Sequence, residues 1–132
     1  MSITTIRKIA TQVRHWAEEL AVANTYDFFP NLSGLCAIAS AELWDRLTAG
    51  GAEARIVANE LYGEGHCFVM IDDIMIDVTA TQFGQQKIVV GKWRCNDICR
   101  YWEIHYVFNT PQDLLSWQIE GKWPDEQLAK VV

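Results

Sequence analysis

The stretch His66-Cys67-Phe68-Val69-Met70-Ile71-Asp72-Asp73-Ile74-Met75-Ile76-Asp77-Val78-Thr79 decides the fold. Two apolar runs flank a pair of aspartates, the strongest hairpin signal in the chain. With Asp72-Asp73 as a two-residue loop, Ile71 faces Ile74, Phe68 faces Asp77 and His66 faces Thr79. His66 and Asp77 then share a face as diagonal neighbours, within side-chain reach. A slip of one residue would send Asp77 to the opposite face. Asp77 is a charge between Ile76 and Val78 in an otherwise apolar strand. Burying a carboxylate alone is costly, and this register gives it His66 as a partner. The plainer alternative is an aspartate on the free face of the hairpin, with Thr79 and Thr81 hydrogen-bonding near it.

Upstream of the hairpin, Tyr62-Gly63-Glu64-Gly65 reads as a flexible turn that leaves the His66 ring accessible. A period of two over residues 54–61 predicts a strand. Before it, Gly50-Gly51 stops a helix predicted over residues 33–49. Ser33 is its expected N-cap, which puts Cys36 at the third helical position. Unpaired backbone N–H groups and the positive end of the helix dipole then face the sulfur. Both favour the thiolate, which is the nucleophilic form. A first helix is expected over residues 5–23, with Ile6, Ile9, Val13, Trp16 and Leu20 on one side and Arg7, Arg14 and Glu18 on the other. The segment 26–30 is an aromatic connector ending in Pro30.

Downstream, residues 87–90 and 100–108 read as a fourth and a fifth strand, separated by a polar loop that carries Cys95 and Cys99. Thr110 and Pro111 open a short helix that Gly121 ends, and Pro124 is expected to begin a last one. The elements together predict an α+β domain over residues 1–132, with N-terminal helices packed on an antiparallel sheet of about four or five strands.

The chain of 132 residues is long enough to bury a core without covalent staples. Half of its residues are hydrophobic and six are Trp, a globular composition. A net charge of -6 argues against a nucleic-acid or anionic-membrane surface and fits a small-molecule or protein substrate. No apolar run reaches membrane-spanning length, and none follows Arg7 and Lys8 as a signal peptide would require. The expected location is therefore cytoplasmic, unless a dedicated export machine carries the chain out as an effector. Four cysteines in such a chain read as thiols rather than a disulfide frame.

Cys36, His66 and Asp77 lie in order on successive elements, the layout of a nucleophile, a base and an orienter. Taken alone, Cys36 would be a small core residue, and His66 a hydrogen-bonded or surface histidine. The small residue Gly34 lets a substrate carbonyl approach the helix end, where the Cys36 N–H is an oxyanion donor. Gly65 keeps the other side of the sulfur open. Cys95 and Cys99, with His105 and Cys67 as conceivable further ligands, have the donor types for zinc but an unusual spacing. No metal and no cofactor is expected.

These residues carry a resemblance. Gly34-Leu35-Cys36, the Gly50-Gly51 stop, Ala54-Arg55-Ile56-Val57, His66-Cys67-Phe68-Val69-Met70 and Ile76-Asp77-Val78-Thr79 resemble the transglutaminase-like core of the papain-like cysteine hydrolases. Arylamine N-acetyltransferases show a similar order. The likeness runs from about Asn31 to Phe83. It implies a papain-like fold, Cys36 as nucleophile, His66 as general base and acid, and Asp77 as orienter. Papain-like peptidases take a second oxyanion donor from a Gln six residues before the Cys. Pro30 holds that place here, and Asn31 is the nearest amide. The implied activity is hydrolysis of an amide in a protein or peptide, as peptidase or glutamine deamidase. Acyl transfer to an amine, of the transglutaminase type, is the second reading. A catalytically silent module that binds a partner is the third, and a small metal-bearing adaptor the fourth.

Overall fold

The computed structural model describes residues 1–23, 35–59, 66–96, 105–121 and 126–128. Helix α1 (Ile3–Ala23) is followed by α2 (Cys36–Ala49), then strands β1 (Ala54–Asn59), β2 (Cys67–Ile71) and β3 (Ile74–Asp77). A 3-10 turn (Ala80–Phe83), strand β4 (Val89–Lys92) and a second 3-10 turn (Trp93–Cys95) come next, then β5 (His105–Phe108), α3 (Pro111–Glu120) and β6 (Glu126–Leu128). The architecture is α+β. Six strands, all paired antiparallel, lie in the order β4-β3-β2-β1-β5-β6.

The hairpin register follows its two-residue loop. Ile71 pairs with Ile74, Met70 with Met75 and Val69 with Ile76. Asp72 takes a left-handed backbone (φ 52°) to turn the chain, a conformation that aspartate tolerates better than most residues. Alternation along the strands then sorts the side chains to two faces. Ala54, Ile56, Ala58, Cys67, Val69, Ile76, Val78, Tyr106 and Phe108 pack with α1, α2 and α3 in the main core. Val57, Phe68, Met70, Met75, Val107 and Trp93 form a second buried cluster.

Helix α1 turns Ile6, Ala10, Val13 and Ala17 to the core, with Ile9, Trp16 and Leu20 beside them. Helix α2 buries Ala39, Ser40, Leu43 and Leu47. It stops at Gly50 and Gly51, the latter in the left-handed region (φ 95°) that glycine enters without steric cost. Helix α3 begins as its sequence predicts. The Thr110 hydroxyl accepts from the Asp113 N–H, Pro111 opens the first turn, and Gly121 closes the last.

Several expectations are corrected. Helix α2 begins at Cys36 with Leu35 as its N-cap and no side-chain cap, so Cys36 is the first helical residue and not the third; Ser33 lies outside the described residues. The fourth strand runs two residues later than its apolar stretch, because its span is set by the partner it pairs with, from Asp77↔Val89 to Ile74↔Lys92. In place of a helix after Pro124, residues Glu126–Leu128 form a sixth strand against β5. A three-residue edge strand leaves no readable period, and its partner supplies the order. Arg14, expected on the solvent face of α1, is buried. The connectors 26–30 and 62–65, with Asn31, Gly34 and Gly65, lie outside the described residues. Among the described residues no helix is long and apolar enough to cross a membrane.

Candidate active site

The site is built at the end of the hairpin away from its loop. His66 immediately precedes β2 and Asp77 ends β3, and both side chains are withdrawn from solvent, so the accessible ring expected for His66 is corrected to a buried one. Nε2 of His66 lies 2.5 Å from Oδ2 of Asp77. An ionised carboxylate only accepts, so Nε2 carries the proton and donates. The other oxygen, Oδ1, accepts from the Thr79 backbone N–H at 2.9 Å and faces the Thr79 hydroxyl at 3.4 Å. Asp77 is thus held from the chain that follows it and has one oxygen left for the ring.

Cys36 sits half-buried in the first turn of α2, against the main core. Cys67 and His66 are the groups that act on its thiol. The Cys36 pKa is lowered from 9.0 to about 5. The hydrogen bond from the Cys67 thiol is the largest cause; burial opposes it, and the hydrogen bond and positive charge of His66 and the Cys67 backbone N–H add to it. Cys67, fully buried, is pushed well above the usual thiol range by that same hydrogen bond, by burial and by the neighbouring negative charges. One thiol of the pair is therefore the anion and the other keeps its proton.

His66 is raised from 6.5 to about 9. Burial alone would lower it, but the charge and hydrogen bond of Asp77, followed by those of Cys36, outweigh that cost. Between about 5 and about 9 the favoured state is thus thiolate beside imidazolium.

Three further residues belong to this site, and the sequence reading gave none of them a role in it. The Gln82 side-chain amide lies 2.9 Å from Nδ1 of His66. Arg14 reaches from α1 to the carbonyl of Val78 (3.0 Å) and the hydroxyl of Thr81 (2.9 Å), bracing the segment between Asp77 and Gln82. Phe83 stands edge-on to the imidazole, with ring centroids 4.7 Å apart and planes at 82°, and is 42% exposed. A signal for Gln82 was present in its position five residues after Asp77 in a polar turn. Arg14 sits between Val13 and Ala17, core positions of α1, which was its signal.

The sequence-predicted residues divide accordingly. His66 and Asp77 meet directly, and Cys36 lies where the charge of His66 acts on its thiol; Asn31, Gly34 and Gly65 lie outside the described residues. Cys95 is exposed, Cys99 is outside the described residues, and among the described residues no three His, Cys, Asp or Glu gather in a way that could hold a metal ion. No family model, no curated protein and no solved structure matches the chain.

Proposed function

We propose that the chain is a papain-like, transglutaminase-like cysteine hydrolase that cleaves an amide bond in a protein or peptide through an acyl-enzyme, as peptidase or glutamine deamidase. The observation that carries the reading is the buried contact of Asp77 with His66, beside a Cys36 thiol whose pKa Cys67 and His66 lower. Each member has the group its role requires. The Cys36 sulfur, in the first turn of α2, attacks the carbonyl carbon. Imidazolium His66 gives its Nδ1 proton to the leaving amine and then takes one from the incoming water. Asp77 keeps Nε2 protonated, so that Nδ1 is the nitrogen that exchanges protons. The first backbone N–H groups of α2, which have no intrahelical acceptor, are the donors for the oxyanion in this reading.

Amine transfer would differ only in what resolves the acyl-enzyme. A digest of whole-cell protein treated with the wild-type chain or with Cys36→Ala, in the presence and absence of an added primary amine, tests both. New peptide termini or deamidated glutamines made only by wild type support hydrolysis. Amine adducts support transfer. Products that persist in Cys36→Ala count against any thiol mechanism.

A further inference from the structure

We propose that Cys36 and Cys67 form a peroxide-responsive pair: a hydroperoxide oxidises the Cys36 sulfur, Cys67 closes a disulfide onto it, and the site stays shut until a thiol reductant reopens it. The proposal concerns the nucleophile of the acyl-transfer reading above and rests on that reading only for its consequence, the loss of acyl chemistry. It starts from a buried nucleophilic group to which that reading gives no step. Cys67 follows His66 in the chain and begins β2.

Alternation along β2 sorts its side chains. Cys67 and Val69 join the main core on the face that the helices cover, while Phe68 and Met70 join the second cluster. Cys36 opens α2 and packs against that same main core, and α2 lies against β2. The two cysteines therefore share the interface between α2 and β2. Each thiol is also the largest influence on the other's proton, a short-range effect. Both are free thiols.

Exposure orders the chemistry. Cys36 is half-buried and held as a thiolate, the form that attacks a peroxide. Cys67 is 4% exposed and keeps its proton, so it does not react first. In the first step a Cys36 sulfur lone pair forms the S–O bond and the O–O bond breaks. The hydroxide that leaves takes the imidazolium proton of His66 and becomes water, and Cys36 is now a sulfenic acid. That step removes the negative charge that helps to hold the Cys67 proton. In the second step the Cys67 sulfur attacks the Cys36 sulfur and the S–O bond breaks. The departing hydroxide takes the Cys67 proton and becomes a second water. The two sulfurs have together given two electrons to the peroxide oxygens. A dithiol reverses the bond by exchange and ends as its own disulfide. A sulfenic acid with no thiol beside it goes on to sulfinic acid, which thiols do not reverse. Cys67 thus stops the oxidation at a recoverable stage.

The test treats the full chain with hydrogen peroxide, maps its peptides without reduction, and follows acetylation by p-nitrophenyl acetate. Wild type should lose two hydrogens in mass, yield a linked peptide joining Cys36 to Cys67, and stop reacting with the ester. Dithiothreitol should restore the reaction. Cys95→Ala, which removes an exposed thiol, should behave the same. Cys67→Ala and Cys67→Ser cannot close the bond. In both, Cys36 should gain oxygen atoms instead, and dithiothreitol should return little of the lost reaction. Linkage of Cys36 to Cys95 or Cys99 overturns the proposal. So does a wild-type Cys36 that is left untouched or gains oxygen with no link to Cys67, and so does recovery in the Cys67 variants equal to that of wild type. A chain that links Cys36 to Cys67, yet never reacts with the ester when reduced, keeps the pair and removes the acyl-transfer reading instead.

Discussion

Nε2 of His66 and Oδ2 of Asp77 meet at 2.5 Å, with both side chains buried. A histidine and an aspartate eleven positions apart reach each other because the strands between them are joined by two residues and no more. The contact commits Nε2 and leaves Nδ1 as the ring nitrogen that can exchange protons. The role proposed for Cys36 depends on that assignment.

Replacing the carboxylate tests it. Asp77→Asn keeps an oxygen for the Thr79 N–H, so the fold is expected to survive. The ring, however, loses the charge that raises its pKa and gains a partner that can also donate. Acetylation of Cys36 by p-nitrophenyl acetate should drop by up to about 10⁴-fold, the scale observed when the aspartate of a serine triad is amidated. The His66 ring should titrate below about 9 by NMR. An unchanged acetylation rate would mean that Asp77 is structural only.

The turn that sets the register is a second point of test. Asp72 has φ 52°, and a β-branched residue there clashes with its own backbone. Asp72→Val is expected to destabilise the chain by about 1–2 kcal/mol in urea unfolding. It should also slow Cys36 chemistry, through the pairing that aligns His66 with Asp77. Asp72→Gly, free of the clash, should retain wild-type reactivity. Equal stability of Asp72→Val and wild type would refute the strained-turn assignment.

Arg14 supplies a third. Its guanidinium is buried and donates to the Val78 carbonyl and the Thr81 hydroxyl. Arg14→Met fills much of the same volume but strands both acceptors. A loss of about 1–3 kcal/mol is expected, with faster hydrogen exchange at the Thr81 and Gln82 amides. Exchange unchanged at that turn would show that Arg14 does not brace it.

Much of this was legible from local chemistry. The hairpin, its register and the His66–Asp77 pairing follow from two aspartates between apolar runs, because a period of two allows one choice of face. Thr110, Pro111 and Gly121 mark the ends of α3 by their own side chains and backbone preferences. What was missed depends on partners far along the chain. Arg14 looks like a solvent residue until the turn after β3 is laid against α1, 64 positions away for Val78. The Glu126–Leu128 strand exists because β5 has an open edge. The start of α2 carries no side-chain cap for a sequence to announce.

The central claim is that Cys36 is a thiolate held by His66, and its alkylation as a function of pH tests that most directly. The sign is fixed by the shifts: lowering the thiol pKa means that the reactive anion is present above about 5 and is lost as pH falls through it. His66, raised to about 9, stays protonated across the same window. Peptide mapping after limiting iodoacetamide should therefore show Cys36 labelled with a half-maximal rate near pH 5 and a plateau to about 9. Cys67 should stay unlabelled, because its proton is held, and in His66→Ala the Cys36 midpoint should move upward. A Cys36 midpoint near the ordinary thiol value of 9.0, unmoved by His66→Ala, would contradict the account and leave Cys36 a core residue.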